Sequence, residues 1–246
     1  MKNLVAYITT GYPSLEFTVD LALGLAESGV DTLELGIPFS DPVADGPTIE
    51  RANLQSLQNG FQIANLFEVS KQIAPHIDTL WMGYFNPFYH KGIDLFIEEA
   101  KKSGVNGFII PDLPLEEARP YKKIIQENQL SLIDFVAPTD TPERIDELVA
   151  NAQKFIYLVA YAGITGAGKA ESLEKVIAKI RQQTTTPLFV GFGVDEHTAK
   201  KKAKGVDGVI VGSAFVKILL DESLSQSQKL TKVTQLTKEI KEKINE

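Results

Sequence analysis

Short runs rich in β-branched and aromatic residues alternate with longer amphipathic runs along this chain, and that alternation narrows the possible folds sharply. The runs that read as strands are Leu4–Thr9, Thr32–Gly36, Leu80–Tyr84, Gly107–Ile110, Leu132–Val136, Phe155–Val159, Leu188–Gly191 and Gly208–Val211. Between them, helical patterns cover Leu15–Ser28, Ile93–Ser103, Leu115–Asn128, Pro142–Asn151, Leu173–Gln183 and Glu196–Lys204. Thr141-Pro142 is a helix-start signal, and Gly29 and Gly104 are stop signals. Repeated strand–helix units imply parallel strands with helices outside them, the pattern of a (β/α)8 TIM barrel. An open doubly wound sheet is the alternative, but strands of similar length within 246 residues favour closure. No low-complexity linker interrupts the pattern, so residues 1–246 read as one barrel domain.

The second unit departs from the repeat. Its connection to the third strand holds a Pro-rich loop and two helical patterns, Ile49–Leu57 and Ile63–Ile73, where one helix would suffice. Long connections in compact barrels usually serve function. The chain ends in a Lys/Glu-rich helical stretch, roughly Ser225–Ile244, whose apolar stripe of Leu230, Val233, Leu236 and Ile240 suits packing on the barrel wall.

Composition limits the classes of function. No run approaches the about 18 apolar residues needed to span a membrane, and Met1-Lys-Asn-Leu-Val has no signal-peptide architecture. Cysteine is absent, which excludes disulfides and thiolate chemistry and suits a reducing, cytoplasmic compartment. A net charge of −7 argues against non-specific nucleic-acid binding. The expectation is a cytoplasmic protein acting on a small molecule.

The stretch from Leu33 to Pro47 (LELGIPFSDPVADGP) concentrates candidate chemistry. Alternation in a strand puts Leu33 and Leu35 on one face and Glu34 alone on the other. Gly36 and Pro38 stop the strand, and the loop that follows carries Asp41 and Asp45. A carboxyl pointing into a barrel interior tends to a raised pKa, whereas one on the adjoining loop stays charged more easily. Two carboxyls in unlike surroundings can divide acid and base work. The ordinary alternative for Glu34 is an interior salt bridge, and no neighbouring strand end supplies a cation for it. Asp45 before Gly-Pro is equally good turn chemistry, and Asp41 before Pro42 reads as loop architecture.

Active sites of this fold lie at the C-terminal ends of the strands, with phosphate commonly bound after the seventh and eighth. Here those strands end in Val190-Gly-Phe-Gly193 and Val211-Gly-Ser213, and Gly166 follows the sixth. Glycine lets backbone N–H groups approach an anion, so no Lys or Arg is required. Gly191-Phe-Gly193 is not a dinucleotide fingerprint, since Glu196 occupies the third glycine position. Residues 163–169 match the start of a P-loop, but Ala170 stands where magnesium needs Ser or Thr.

A Schiff-base aldolase needs a lysine at a strand end. Lys154 precedes its strand and Lys217 lies within a helix. Metal-dependent cleavage needs clustered ligands, yet His76, His90 and His197 are scattered and read as surface residues. Bond cleavage here must therefore use an electron sink within the substrate, as an indole ring provides once protonated at C3. Tyr84, Tyr157 and Phe192 read as pocket walls, with ordinary barrel packing as the alternative.

The residues then resemble one family closely. The stretch from Leu33 to Thr48 is similar to the signature of the tryptophan synthase α subunit. Thr10-Gly-Tyr-Pro13, Tyr84-Phe-Asn-Pro87, Pro111-Asp-Leu-Pro114, Gly163-Ile-Thr-Gly166, Gly191-Phe-Gly193 and Val211-Gly-Ser-Ala214 extend the similarity in order. The resemblance implies reversible retro-aldol cleavage of indole-3-glycerol phosphate to indole and glyceraldehyde 3-phosphate. It implies Glu34 as general acid–base and Asp45 as the carboxylate that receives the indole N–H. It implies Tyr7, Met82, Tyr84, Ile109, Phe135, Tyr157, Thr165 and Phe192 as the walls of the indole and glycerol pocket. Gly166, Gly193, Gly212 and Ser213 are implied as the phosphate cradle. No cofactor or metal is implied on this chain; pyridoxal phosphate is expected only on a β-subunit partner in an α2β2 complex, with the Pro38–Pro47 loop and Pro114 at the interface. A freestanding lyase and a weakly active regulatory subunit are the other functional readings. Three features depart from the family pattern: only Met1–Asn3 precede the first strand in place of a short helix, Ala167-Gly-Lys169 follows the Thr-Gly pair, and Tyr161 replaces a polar or basic residue. Thr165 would link the loop after the sixth strand to Asp45, so Thr165→Val is expected to slow turnover in an indole-release assay.

Overall fold

The computed structural model describes residues 1–159 and 173–246. In chain order the elements are β1 (Asn3–Thr9), α1 (Leu15–Glu27), β2 (Thr32–Gly36), α2 (Pro47–Gln58), α3 (Ile63–Ile73), β3 (Asp78–Met82), α4 (Phe85–Lys91), α5 (Ile93–Ser103), β4 (Gly107–Ile109) and α6 (Leu115–Glu127). They continue with β5 (Ser131–Leu132), β6 (Asp134–Val136), α7 (Pro142–Val149), β7 (Ile156–Val159), α8 (Leu173–Gln183), β8 (Leu188–Gly191), α9 (Ala199–Lys202), β9 (Gly208–Val211), α10 (Ser213–Leu219) and α11 (Gln226–Asn245). Every strand pair is parallel. The sheet order is β5-β4-β3-β2-β1-β9-β8-β7-β6. Its two ends, β5 and β6, are halves of one strand interrupted at Ile133, so the sheet curls into a nearly closed barrel.

Alternation along the strands separates two apolar layers. Val5, Leu80, Ile109, Ile133, Phe155, Phe189 and Ile210 fill the interior, where Phe155 and Phe189 stack with ring centroids 4.5 Å apart. Leu4, Ala6, Leu33, Leu35, Trp81, Phe108, Val190 and Val209 face outward, under the helices. Trp81 packs against Phe67, Phe96 and Phe108, and its indole N–H donates to Ser70 Oγ at 2.8 Å, so the ring is buried with its polar atom satisfied. On the same outer side the Lys122 ammonium sits 2.8 and 2.6 Å from the two Asp134 carboxylate oxygens, in an ion pair closed to solvent.

Several helix ends follow the sequence signals. Thr141 accepts from Arg144 N–H ahead of Pro142, and Ser225 forms a capping box with Gln228 at the start of α11. Val233, Ile240 and Ile244 of α11 are buried against the barrel helices. Several boundaries differ from that reading. The third strand starts at Asp78 and stops at Met82, and Glu196–Lys204 shortens to α9 because Asp195 and Thr198 build a turn there.

Asp78 explains the early start of β3. Its carboxylate accepts from Thr32 Oγ1 at 2.8 Å, Asn106 Nδ2 at 2.6 Å and Lys154 Nζ at 2.9 Å, tying together four strand entrances at the N-terminal end of the barrel. This polar knot lies at the barrel bottom, the end at which β1 begins with Asn3. Losing it by Asp78→Ala is expected to cost about 2 kcal/mol. Urea unfolding would show this as a lower midpoint at unchanged slope.

Candidate functional site

Glu34 stands between Tyr7 of β1 and Leu80 of β3 in the strand register, with Leu33 and Leu35 turned outward. It is 2% exposed, and its Oε1 has no hydrogen-bond partner among the described residues. No described cation pairs with it, so the salt-bridge alternative fails on geometry. Burial pushes its carboxyl up to about 8, and the negative charge of Asp45 adds to the effect.

Asp45 comes from the loop between β2 and α2. Turns fix that loop: Val43 N–H donates to Asp41 O and Asp45 N–H to Pro42 O, both at 2.9 Å. Asp41 is exposed and accepts from the neighbouring Ser40 hydroxyl, a purely local role. Tyr84 anchors the loop from outside the cavity; its ring stacks on Phe39 and its hydroxyl accepts from Ala44 N–H at 3.0 Å. Burial raises the Asp45 carboxyl to about 6, opposed by a hydrogen bond from Tyr84, reinforced by the Glu50 charge, and opposed again by Asn53. Asn53 Nδ2 lies 3.4 Å from Asp45 Oδ2. Asn53 gave no signal in the sequence, because its only relevance is that one face of α2 brings it back to the loop.

One cavity at the C-terminal end of the barrel gathers most of the candidates. Tyr7, Glu34, Asp45, Met82, Tyr157, Phe192, Gly193, Gly212 and Ser213 line it, joined by Gly46, Ile49, Val194 and Ile210. Two glycines make room for its phenol rings. A Cβ on Gly36 would lie 2.4 Å from the Tyr7 hydroxyl oxygen, and one on Gly191 the same distance from that of Tyr157. Both tyrosines stay protonated, since burial drives their pKa values well above the ordinary phenol range.

Ile109 and Phe135 do not reach the cavity wall. Ile109 is fully buried in the interior cluster, and Phe135 backs the site by stacking on Tyr157 at 4.8 Å. Thr165 and Gly166 lie outside the described residues, as do Tyr161 and Ala167–Lys169. His76, His90 and His197 are all exposed, away from the cavity. The arrangement thus offers a protonated acid inside an apolar slot and an ionisable carboxylate at its edge. Beside them is a glycine-rich rim with backbone donors.

A family profile described as Tryptophan synthase alpha chain matches residues 1–245. A protein of that name from Wolinella succinogenes is 57% identical over 246 residues, covering 100% of this chain and 96% of its own length. Among solved structures, tryptophan synthase subunit alpha from Legionella pneumophila superposes with a TM-score of 0.88 at 33% identity, covering 99% of this chain and 93% of that one. The Campylobacter jejuni subunit gives 0.84 at 34% identity, covering 96% and 95%.

The raised carboxyl pKa values carry a stability signature. Folded, Glu34 holds its proton up to about 8, against 4.5 for an ordinary glutamate. The stability this proton confers is complete below about pH 4.5 and is lost as pH climbs through about 8. Glu34→Gln cannot ionise and escapes that loss. The melting temperature of Glu34→Gln is therefore expected to gain on that of the parent chain between about pH 5 and 8. A difference that stays constant across that range would contradict the assignment.

Proposed function

The chain belongs to the tryptophan synthase alpha chain family, and from that premise we propose how its two carboxyl groups perform the family's chemistry. The chain is a carbon–carbon lyase that cleaves indole-3-glycerol phosphate to indole and glyceraldehyde 3-phosphate. What supports a two-carboxylate mechanism is one observation: Glu34 and Asp45 line the same cavity with pKa values of about 8 and about 6. Near neutral pH the interior group is an acid and the loop group a carboxylate, the division that the reaction needs.

In the proposed sequence Glu34 donates its proton to indole C3. The ring nitrogen becomes an iminium, and the Asp45 carboxylate accepts its N–H hydrogen bond and offsets the charge. Glu34, now ionised, takes the proton from the hydroxyl on the carbon attached to C3. The C3–carbon bond breaks, its electron pair returns to the ring, and the hydroxyl carbon becomes the aldehyde of glyceraldehyde 3-phosphate. Glu34 ends protonated, so the cycle closes without a further proton donor. Tyr7, Met82, Tyr157 and Phe192 hold the indole and glycerol portions, with Ile109, Phe135 and Tyr84 supporting them. Gly193, Gly212 and Ser213 bind the phosphate; for Thr165 and Gly166, outside the described residues, the same scheme assigns roles in substrate and phosphate binding.

The chain needs no cofactor of its own in this scheme. Its partner is a pyridoxal-phosphate β subunit in an α2β2 complex within the cytoplasm, and residues 1–246 act as one barrel domain. The β2–α2 loop suits that interface, because Val43 at its tip is 82% exposed. A freestanding role gives no reason for an apolar tip on the catalytic loop, and a weakly active regulatory subunit gives none for two carboxyls of separated pKa in one cavity.

Indole release should fall on the order of 10³-fold in Glu34→Gln and in Asp45→Asn. The parent chain's kcat/KM should be bell-shaped, with limbs near the two carboxyl values of about 6 and about 8. Comparable turnover in either variant would overturn the assignment. Addition of a pyridoxal-phosphate β subunit should raise the rate, and Val43→Asp should weaken that activation.

A further inference from the structure

The backbone leaving β8 is held in an unusual shape. Phe192 and Gly193 have φ of 70° and 64°, consecutive residues in the left-handed region. Glycine adopts that conformation freely, whereas phenylalanine is strained in it and needs support from its surroundings. The support comes from α9. Lys202 Nζ donates to Phe192 O at 2.5 Å and to Gly193 O at 2.8 Å, and Thr198 Oγ1 donates to Gly193 O at 2.9 Å.

In a planar trans peptide, C=O and N–H point in opposite directions. An ammonium that draws the carbonyls of residues 192 and 193 toward α9 therefore turns the N–H groups of Gly193 and Val194 the other way. Those two residues line the cavity together with Gly212 and Ser213. Neither N–H has an acceptor among the described residues. The lysine is only half-exposed; burial lowers its pKa, opposed by the charge of Asp195 in the turn ahead of α9. A Cβ on Gly193 would lie 3.0 Å from Nζ, so the lysine packs directly against the back of the loop.

We propose that Lys202 is a positioning residue for the substrate phosphate: it locks the two peptide groups whose N–H donors face the anion and places a positive charge behind them. This rests on reading the glycine rim as the phosphate site. It also gives an acidic chain a cation for that site, where no basic side chain among the described residues lines the cavity. A charge-assisted pair of hydrogen bonds is among the stronger means of fixing a loop.

Lys202→Met should raise KM for indole-3-glycerol phosphate about tenfold while kcat stays within about threefold. Lys202→Arg, which keeps the charge and can donate to both carbonyls, should recover most of the loss. A merely structural role is separated by the reverse condensation of indole with an aldehyde. With glyceraldehyde 3-phosphate the variant should need about tenfold more aldehyde, but with phosphate-free glyceraldehyde it should match the parent chain. Equal losses with both aldehydes, or an unchanged KM in Lys202→Met, overturn the proposal. Inorganic phosphate titrated into both proteins by calorimetry decides the matter even if the parent chain releases no indole. Weaker binding to Lys202→Met then sustains the role of Lys202 while the proposed reaction falls, and equal binding refutes it.

Discussion

A carboxyl group enclosed by an apolar barrel, with no cation among the described residues to neutralise it, is the constraint around which this structure is arranged. Glu34 occupies an interior strand position of the kind that aliphatic residues hold elsewhere in the barrel, as Val5, Leu80 and Ile210 do. Such a group is tolerated only in its neutral form, because a charged carboxylate in that environment loses its hydration without compensation. The outer ion pair of Lys122 and Asp134 makes the contrast within the same protein. There a buried carboxylate is given two close contacts from one ammonium; among the described residues Glu34 is given none.

Much of the fold was legible in the sequence because barrel strands repeat a simple physical rule. Leu33-Glu-Leu35 announced one interior carboxylate, and the structure turns these three residues as the alternation requires. The boundaries less well read are those where polar side chains do the structural work. Asp78 begins β3 although it does not resemble a strand residue, because it serves the knot beneath the barrel. The break at Ile133 reflects a change of neighbour: β5 pairs with β4 while β6 pairs with β7, and no property of Ile133 itself signals that. The short helix α4 sits in a stretch whose aromatics, Phe85 and Phe88, gave no clear period.

The site was legible where residue type dictates chemistry and opaque where position alone matters. Glu34, Asp45 and the glycines after β8 and β9 stood out because carboxyls and glycines are costly or weak choices elsewhere in a barrel. Asn53 and Lys202 did not. Asn53 matters because it returns to Asp45 across a turn and a helix, and Lys202 because α9 brings it under a backbone that it never follows directly in sequence. A cation one layer behind leaves no trace in a motif.

The two carboxyls are also coupled. The charge of Asp45 is one of the causes that hold Glu34 in its acid form, so the loop determines how tightly the interior proton is kept. In the proposed reaction the indole N–H approaches Asp45 and becomes more positive as C3 is protonated. That contact offsets the Asp45 charge and weakens its effect on Glu34 at the moment the proton must leave. A loop carboxylate that raises the interior pKa while the site is empty therefore relaxes it when substrate engages. Tyr84 and Asn53, by hydrogen-bonding the same carboxylate, set how far that relaxation extends. The barrel supplies the environment that makes the proton difficult to remove, and the β2–α2 loop supplies the adjustment that lets the substrate take it.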